Sequence, residues 1–569
     1  MAGITLIHQQ SQLDPFFLKR IIASIEELTE VRILLHEKEF LLIEKLQQNY
    51  PVLLIDHQAY VCVIEGRIYG IDADTNDAFK SHLLDLFDTH KKDESLKYIR
   101  NLDGEFLVYL IHKTTRKVLV VNDFLGRLPA YYKQSEQFIL SRDISLLQTL
   151  TGKLSFDEQG VYEFVRMGYP IGDKTLFENL KRLPPSAYIK FGENVSIQSQ
   201  SVSLQEWQES GRYVKKTEEQ LYEIFKEALR NRLKGYQKPM LSLSGGLDSR
   251  IIMGEIEKEK QQVAYESFLY EHAIIQSDVK VVKELSAFYK KQVGVTSLEE
   301  WSPKYFDELI GSKYGMNYLG MAFIIPFLKS MSSNYDLMLT GDGGDKALAY
   351  LFPDIKLLGS NTAKKILRTN EVTKAKTSAL LWDFNAKKNE EVLQSHLNGF
   401  GYKDPRLNYK HFLLFERTKN WLFEGEDRNR QYIWSTTPFY NPEFFKLVHS
   451  INENKKKNFQ LYRAFTQLIK PELNTITNAN WGFPIHHTCK LRNLLFRQHI
   501  KKIIKLMLPD VKANHYVPGE ILEAVKEQLN RGFEDPLYVN KRMNFNELSQ
   551  ESLFHLLTLL KVGETIDRK

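Results

Sequence analysis

The chain has 569 residues, more than one hydrophobic core usually serves, so two or three domains are expected. Lys plus Arg outnumber Asp plus Glu by 77 to 71, a net charge of +6 diluted over a large surface, which argues against nucleic-acid binding. Two cysteines, Cys62 and Cys489, exclude a disulfide framework, and no apolar run reaches the ~18 residues of a membrane span. With no signal-peptide pattern at the start, a cytoplasmic protein without membrane contact is expected.

In chain order, the first 200 residues carry short strand-like runs separated by polar turns, the pattern of antiparallel sheets. Such runs are Val52–Ile55, Ala59–Ile64, Phe106–Ile111, Lys117–Val121, Phe138–Ser141 and Tyr188–Phe191; helical periods interrupt them at Asp77–Phe87 and Asp157–Met167. A polar stretch around Gln198–Lys216 suggests a boundary, drawn here between 205 and 206. Beyond it, helix Glu218–Leu233, strand Met240–Leu243, strand Ala264–Leu269 and helix Ser277–Lys291 alternate, as in a doubly wound α/β parallel sheet. After about Lys356 the periodicity is almost wholly helical.

Two glycine loops carry the chemistry. In the first, Leu243 ends an apolar strand and Ser244-Gly245-Gly246-Leu247-Asp248-Ser249 opens a helix. A strand–glycine–helix turn presents backbone N–H groups and the positive end of a helix dipole to an anion. Ser244 and Ser249 add hydroxyls, and Asp248 is suited to the Mg²⁺ that accompanies a polyphosphate. No GxxxxGK[ST] is present, so this is not a Walker loop. In the second, Asp336–Leu339 runs into Thr340-Gly341-Asp342-Gly343-Gly344-Asp345. Ligands collect at the carboxyl ends of parallel strands, so both loops are expected to face one nucleotide, with Asp248 and Asp345 as a magnesium pair.

On these motifs the chain resembles the asparagine synthetase family over nearly all of its length. Pro438-Phe439-Tyr440 is similar to that family's Pro-Phe-Leu-Asp element, and Trp481-Gly482-Phe483-Pro484 to its Gly-Phe-x-x-Pro segment. Ser277-Asp278 resembles the segment after its adenine-contacting strand; Leu102–Phe106, Asp123–Tyr132 and Lys174–Tyr188 resemble its glutaminase domain. The resemblance implies an N-terminal four-layer αββα Ntn-hydrolase-like domain, residues 1–205. Residues 206–569 would form an ATP-pyrophosphatase domain with a large helical extension, binding ATP and Mg²⁺ through Leu243, Ser244, Gly245, Gly246, Asp248, Ser249, Thr340 and Gly341. Asp342 and Arg463 take the catalytic positions.

The departures from the family are specific. Residue 2 is alanine where glutamine-dependent members expose a cysteine nucleophile. The glutamine-binding Asn-Gly-Glu-Ile-Tyr-Asn reads Glu65-Gly66-Arg67-Ile68-Tyr69-Gly70, Arg-Gly-Pro-Asp is missing near 35–50, and Phe459 stands where a lysine often precedes Arg463. The expected activity is therefore ATP-dependent amide formation without glutamine hydrolysis, of the type of β-lactam or lasso-peptide macrolactam synthetases. Its substrate is a small-molecule or peptide carboxylate, and a homodimer or a pathway partner protein is possible on sequence grounds. Ammonia-dependent asparagine synthesis and a nucleotide-binding scaffold are the alternatives. Lys455, Lys456 and Lys457 are the nearest replacements for the lysine missing at 459.

Overall fold

The computed structural model describes residues 2–9, 19, 22–23, 31–192, 194–200, 202–210, 217–269, 275–298, 304–352, 361–374, 385–507, 519–532 and 545–568. Among these, the N-terminal part contains two six-stranded antiparallel sheets. Its strands are β1 (Gly3–Gln9), β2 (Val31–His36), β3 (Phe40–Lys45), β4 (Val52–Asp56), β5 (Tyr60–Ile68), β6 (Gly104–His112), β7 (Val118–Asn122), β8 (Tyr131–Gln134), β9 (Gln137–Ser141), β10 (Leu180–Arg182), β11 (Ala187–Lys190) and β12 (Ser196–Ser199). One sheet runs β10-β8-β9-β1-β3-β2, the other β12-β11-β7-β6-β5-β4.

Alternation along the strands sorts side chains between faces. Ile4 and Leu6 of β1 meet Val63, Leu107 and Tyr109 of the second sheet. Ile7 and Ile139 turn outward onto Leu147, Leu150 and Phe164 of helices Ile144–Thr151 and Glu158–Met167. On the second sheet Cys62 and Ile64 turn outward onto Phe79, Leu83 and Ile99, from helices Asp77–Asp85 and Lys92–Arg100.

The C-terminal part is organised by a five-stranded parallel sheet. Its strands are β13 (Pro239–Ser242), β14 (Ala264–Leu269), β15 (Gly294–Ser297), β16 (Leu337–Leu339) and β17 (Ser435–Thr436), in the order β15-β14-β13-β16-β17. Leu241 and Leu339 pack with Phe225, Ile252 and Ile256 on one face, and Met240 and Met338 with Phe327 and Leu328 on the other, so helices cover both sides. The expected boundary at 205–206 falls inside helix Leu204–Ser210, whose Trp207 packs on Phe415 and Phe445 of the C-terminal part.

A second junction between the parts is ionic. Helix Phe423–Asn429 follows a π-helical stretch, Phe412–Leu422, and buries Glu424, Glu426, Asp427 and Arg428. Glu424 accepts from Tyr131 and Arg182 (both 2.7 Å), Glu426 from Arg127 (2.9 Å), and Asp427 from Lys313 (2.6 Å) and Arg142. Nearby, Arg232 grips Asp103 with two bonds of 2.7 and 2.8 Å. Among the described residues no helix is long and apolar enough to cross a membrane.

Candidate functional site

The first glycine loop leaves the carboxyl end of β13, a central strand, and enters helix Asp248–Lys258. Gly245 is required by close approach: a Cβ there would fall 2.5 Å from Ala479 Cβ and 2.6 Å from Asp278 Oδ1. The loop is held by its own polar groups. The Ser244 N–H donates to Ser249 Oγ (3.1 Å), the Gly246 N–H to Ser244 Oγ (3.3 Å), and the Gly245 N–H to Asp278 Oδ1 (2.8 Å). The N–H groups of the first helical turn, which no intrahelical carbonyl can satisfy, are the donors left for an anion.

The second loop leaves β16, the neighbour of β13, and interlocks with the first. A Cβ on Gly341 would fall 2.7 Å from the Ser249 nitrogen, and one on Gly344 would strike the Asp248 carboxylate. Tyr462 Oη donates to Asp248 Oδ1 at 2.6 Å. Burial, then the Asp345 carboxylate, pushes the Asp248 carboxyl up to about 7. Asp345 is largely exposed and pairs with Lys346. Asp342 accepts from Thr340 Oγ1 at 2.9 Å; burial, then Glu426, raises it to about 6, while Arg428 opposes the rise.

Leu243, Ser244, Gly245, Gly246, Asp248, Ser249, Thr340, Gly341, Asp342 and Asp345 thus lie on two adjoining loops at one end of the parallel sheet. Arg463 is placed differently. Its Nη1 donates to the Asn458 carbonyl at 2.8 Å and its electrostatic neighbour is Arg492. Phe459, at φ +59°, packs on Trp481 with ring centres 4.7 Å apart. Lys456 is fully buried 3.5 Å from Glu453, and Lys457 sits over the Tyr350 ring. Tyr462, Asp278 and Lys346 complete the site; of these only Asp278 carried a sequence signal, beside Ser277.

No cluster of three or more His, Cys, Asp or Glu side chains placed to hold a metal occurs among the described residues. A magnesium ion shared with phosphates needs only one or two carboxylates, and the Asp248–Asp345 pair, hard oxygens whose charges repel, fits that requirement.

In the N-terminal part, Ala2 is buried. Glu65, fully buried, accepts from Tyr50 Oη (2.6 Å), Tyr109 Oη (3.2 Å) and Arg142 Nη1 (3.1 Å). A Cβ on Gly3, at φ +136°, would strike Glu65 Oε1, so this side chain fills the space beside residue 3. Burial holds its carboxyl well above the usual range. Arg67 instead points outward, over the Tyr236 ring at 5.6 Å.

Residues 86–203 match the family model of a glutamine amidotransferase domain. The N-terminal part is amidotransferase-like, and the matched span excludes Ala2, Glu65 and Arg67. Among solved structures, the glutamine phosphoribosylpyrophosphate amidotransferase of B. subtilis, complexed with ADP and GMP, aligns at 8% identity and a TM-score of 0.23. That alignment covers 52% of this chain and 81% of the other. No curated protein matches.

Proposed function

We propose that the chain is an ATP-dependent amide-forming ligase that adenylates a carboxylate and couples it to an amine without hydrolysing glutamine. In this reading residues 1–205 are an inactive Ntn-hydrolase-like αββα domain, of the asparagine synthetase type. Residues 206–569 are the doubly wound ATP-pyrophosphatase domain with its helical extension. The observation that carries it is the interlock of the two glycine loops, which sets Asp248 against Gly344 and gathers Asp248, Asp342 and Asp345 at the carboxyl ends of β13 and β16.

A substrate carboxylate oxygen bonds to the α-phosphorus of ATP as the bond to the bridging oxygen breaks, and pyrophosphate leaves with that electron pair. Magnesium, held by Asp248 and Asp345, supplies charge neutralisation when bound. The first-turn amides of helix Asp248–Lys258 orient the phosphates. An amine then adds to the acyl carbon and AMP departs. Asp342, pushed only to about 6, is ionised at neutral pH and takes the amine proton. The amine is free ammonia or part of the substrate, since residue 2 is an alanine with no nucleophile and Glu65 fills the space beside Gly3.

ATP–pyrophosphate exchange with amino acids, hydroxy acids and peptides as carboxylate donors tests this reading. One class of acid should support exchange, and Asp248→Ala should abolish it. ATP that neither binds nor exchanges with any acid would remove the ligase reading. Added glutamine should release no ammonia above background; measurable release would overturn the inactive-domain assignment.

A further inference from the structure

We propose that Lys346 is a catalytic residue of this site, contacting the β- and γ-phosphates and neutralising the pyrophosphate as it leaves. The proposal rests on the ligase reading and deepens it. Lys346 follows Asp345 directly in the short helix Gly344–Leu348, and its ammonium lies against the Asp345 carboxylate. Its side chain is only 13% exposed, against 57% for Asp345, so the lysine is mostly withdrawn from solvent. The same ammonium acts on Asp248 from across the loops.

Among the described residues no other lysine or arginine forms an ion pair with Asp248 or Asp345. The other nearby cations are committed. Arg250 is spent on the carbonyls of Ile476 (3.0 Å) and Thr477, Arg428 on Asn317 (3.1 Å) and Asn429 (2.9 Å), Lys456 on Glu453, and Arg463 on the Asn458 carbonyl.

Adenylation breaks the bond between the α-phosphorus and the bridging oxygen, and the electron pair moves onto the leaving pyrophosphate. Negative charge grows there, and a fixed cation beside it lowers the barrier without transferring a proton. Beside three carboxylates, a fixed cation adds to the neutralisation that magnesium supplies and favours an incoming anion. Lysine suits this role, because a point charge on a flexible stem can exchange the Asp345 oxygen for a phosphate oxygen.

Calorimetric titration of the full chain with magnesium pyrophosphate, and separately with AMP, tests the assignment. Lys346→Met should weaken pyrophosphate binding at least about tenfold, the scale of one charge-assisted hydrogen bond, and leave AMP binding within about twofold. Lys346→Arg should recover most of the loss. Wild-type pyrophosphate affinity in Lys346→Met, or equal losses of AMP and pyrophosphate, would overturn the role. A wild-type chain that binds neither ATP nor pyrophosphate would overturn the ligase reading itself.

Discussion

Tyr462 shows how one hydroxyl tunes the site. Its 2.6 Å bond to Asp248 favours the charged carboxylate, against burial and Asp345, which favour the neutral one. A carboxylate must be ionised to hold magnesium, so magnesium-dependent ATP binding should strengthen as pH rises through about 7. Tyr462→Phe keeps the ring against Phe459 and removes only the donor. A hydrogen bond to a charged group is worth about 1.5–3 kcal/mol, so the magnesium requirement at neutral pH should rise roughly tenfold or more. The deficit should shrink at higher pH, where Asp248 ionises unaided. A magnesium titration of ATP binding at two pH values checks this; equal deficits at both would detach Tyr462 from Asp248 ionisation.

Helix Phe423–Asn429 inverts the usual rule that charges face solvent, because its partners come from distant elements: Arg127, Arg142 and Arg182 from the N-terminal part, Lys313 from helix Lys304–Lys313. Removing one member leaves buried charge uncompensated. Arg142→Met takes one of two cations from Asp427, which keeps Lys313, and leaves Glu65 to the Tyr50 and Tyr109 hydroxyls, and should lower stability by about 3 kcal/mol in chemical denaturation. A loss under about 1 kcal/mol would mean that these pairs contribute no net stability. This helix was not legible in the sequence, where a run of Glu, Asp and Arg reads as a solvated face. Tyr462 was hidden for the converse reason, on an apolar helix beside Leu461 and Phe465 that reads as core. The glycine loops were legible because close approach at Gly245, Gly341 and Gly344 forces the residue type itself. The strands next to them were legible because β13 and β16 are short apolar runs ending in turn residues. Arg463 was placed by family pattern alone, and a kink with Asn458 and Phe459 in the left-handed region turns it to a carbonyl.

At the scale of the whole molecule, the helical extension and its contact with the N-terminal part hold buried neutral histidines. His411 lies 3.3 Å from the Tyr402 hydroxyl. His449 is fully buried, with neither ring nitrogen hydrogen-bonded. His555 stacks on Tyr318 with ring centres 4.4 Å apart and touches Phe164 of the N-terminal part. Burial lowers all three, His411 and His555 to about 4 and His449 well below the ordinary 6.5. The unfolded chain therefore binds protons before the folded one does. The stability these rings contribute is fully present above about 6.5 and is lost as pH falls toward 4, roughly 3 kcal/mol for a ring displaced that far. Glu416 extends the loss to more acid pH: despite its burial, Lys419 and His396 hold its carboxyl well below the usual range, so the stability it contributes is kept above about 4.5 and lost only below that. Thermal unfolding followed from pH 7.5 to pH 5 reads the sum of this loss and of the opposite contribution of the buried, raised carboxyls of Asp248, Asp342 and Glu65. His449→Leu provides the decisive comparison, since an apolar side chain there strands no hydrogen-bond partner. Its Tm near neutrality should match or exceed that of the wild type, and its acid limb should be shallower. An acid limb of unchanged slope would mean that proton uptake by His449 does not drive the loss.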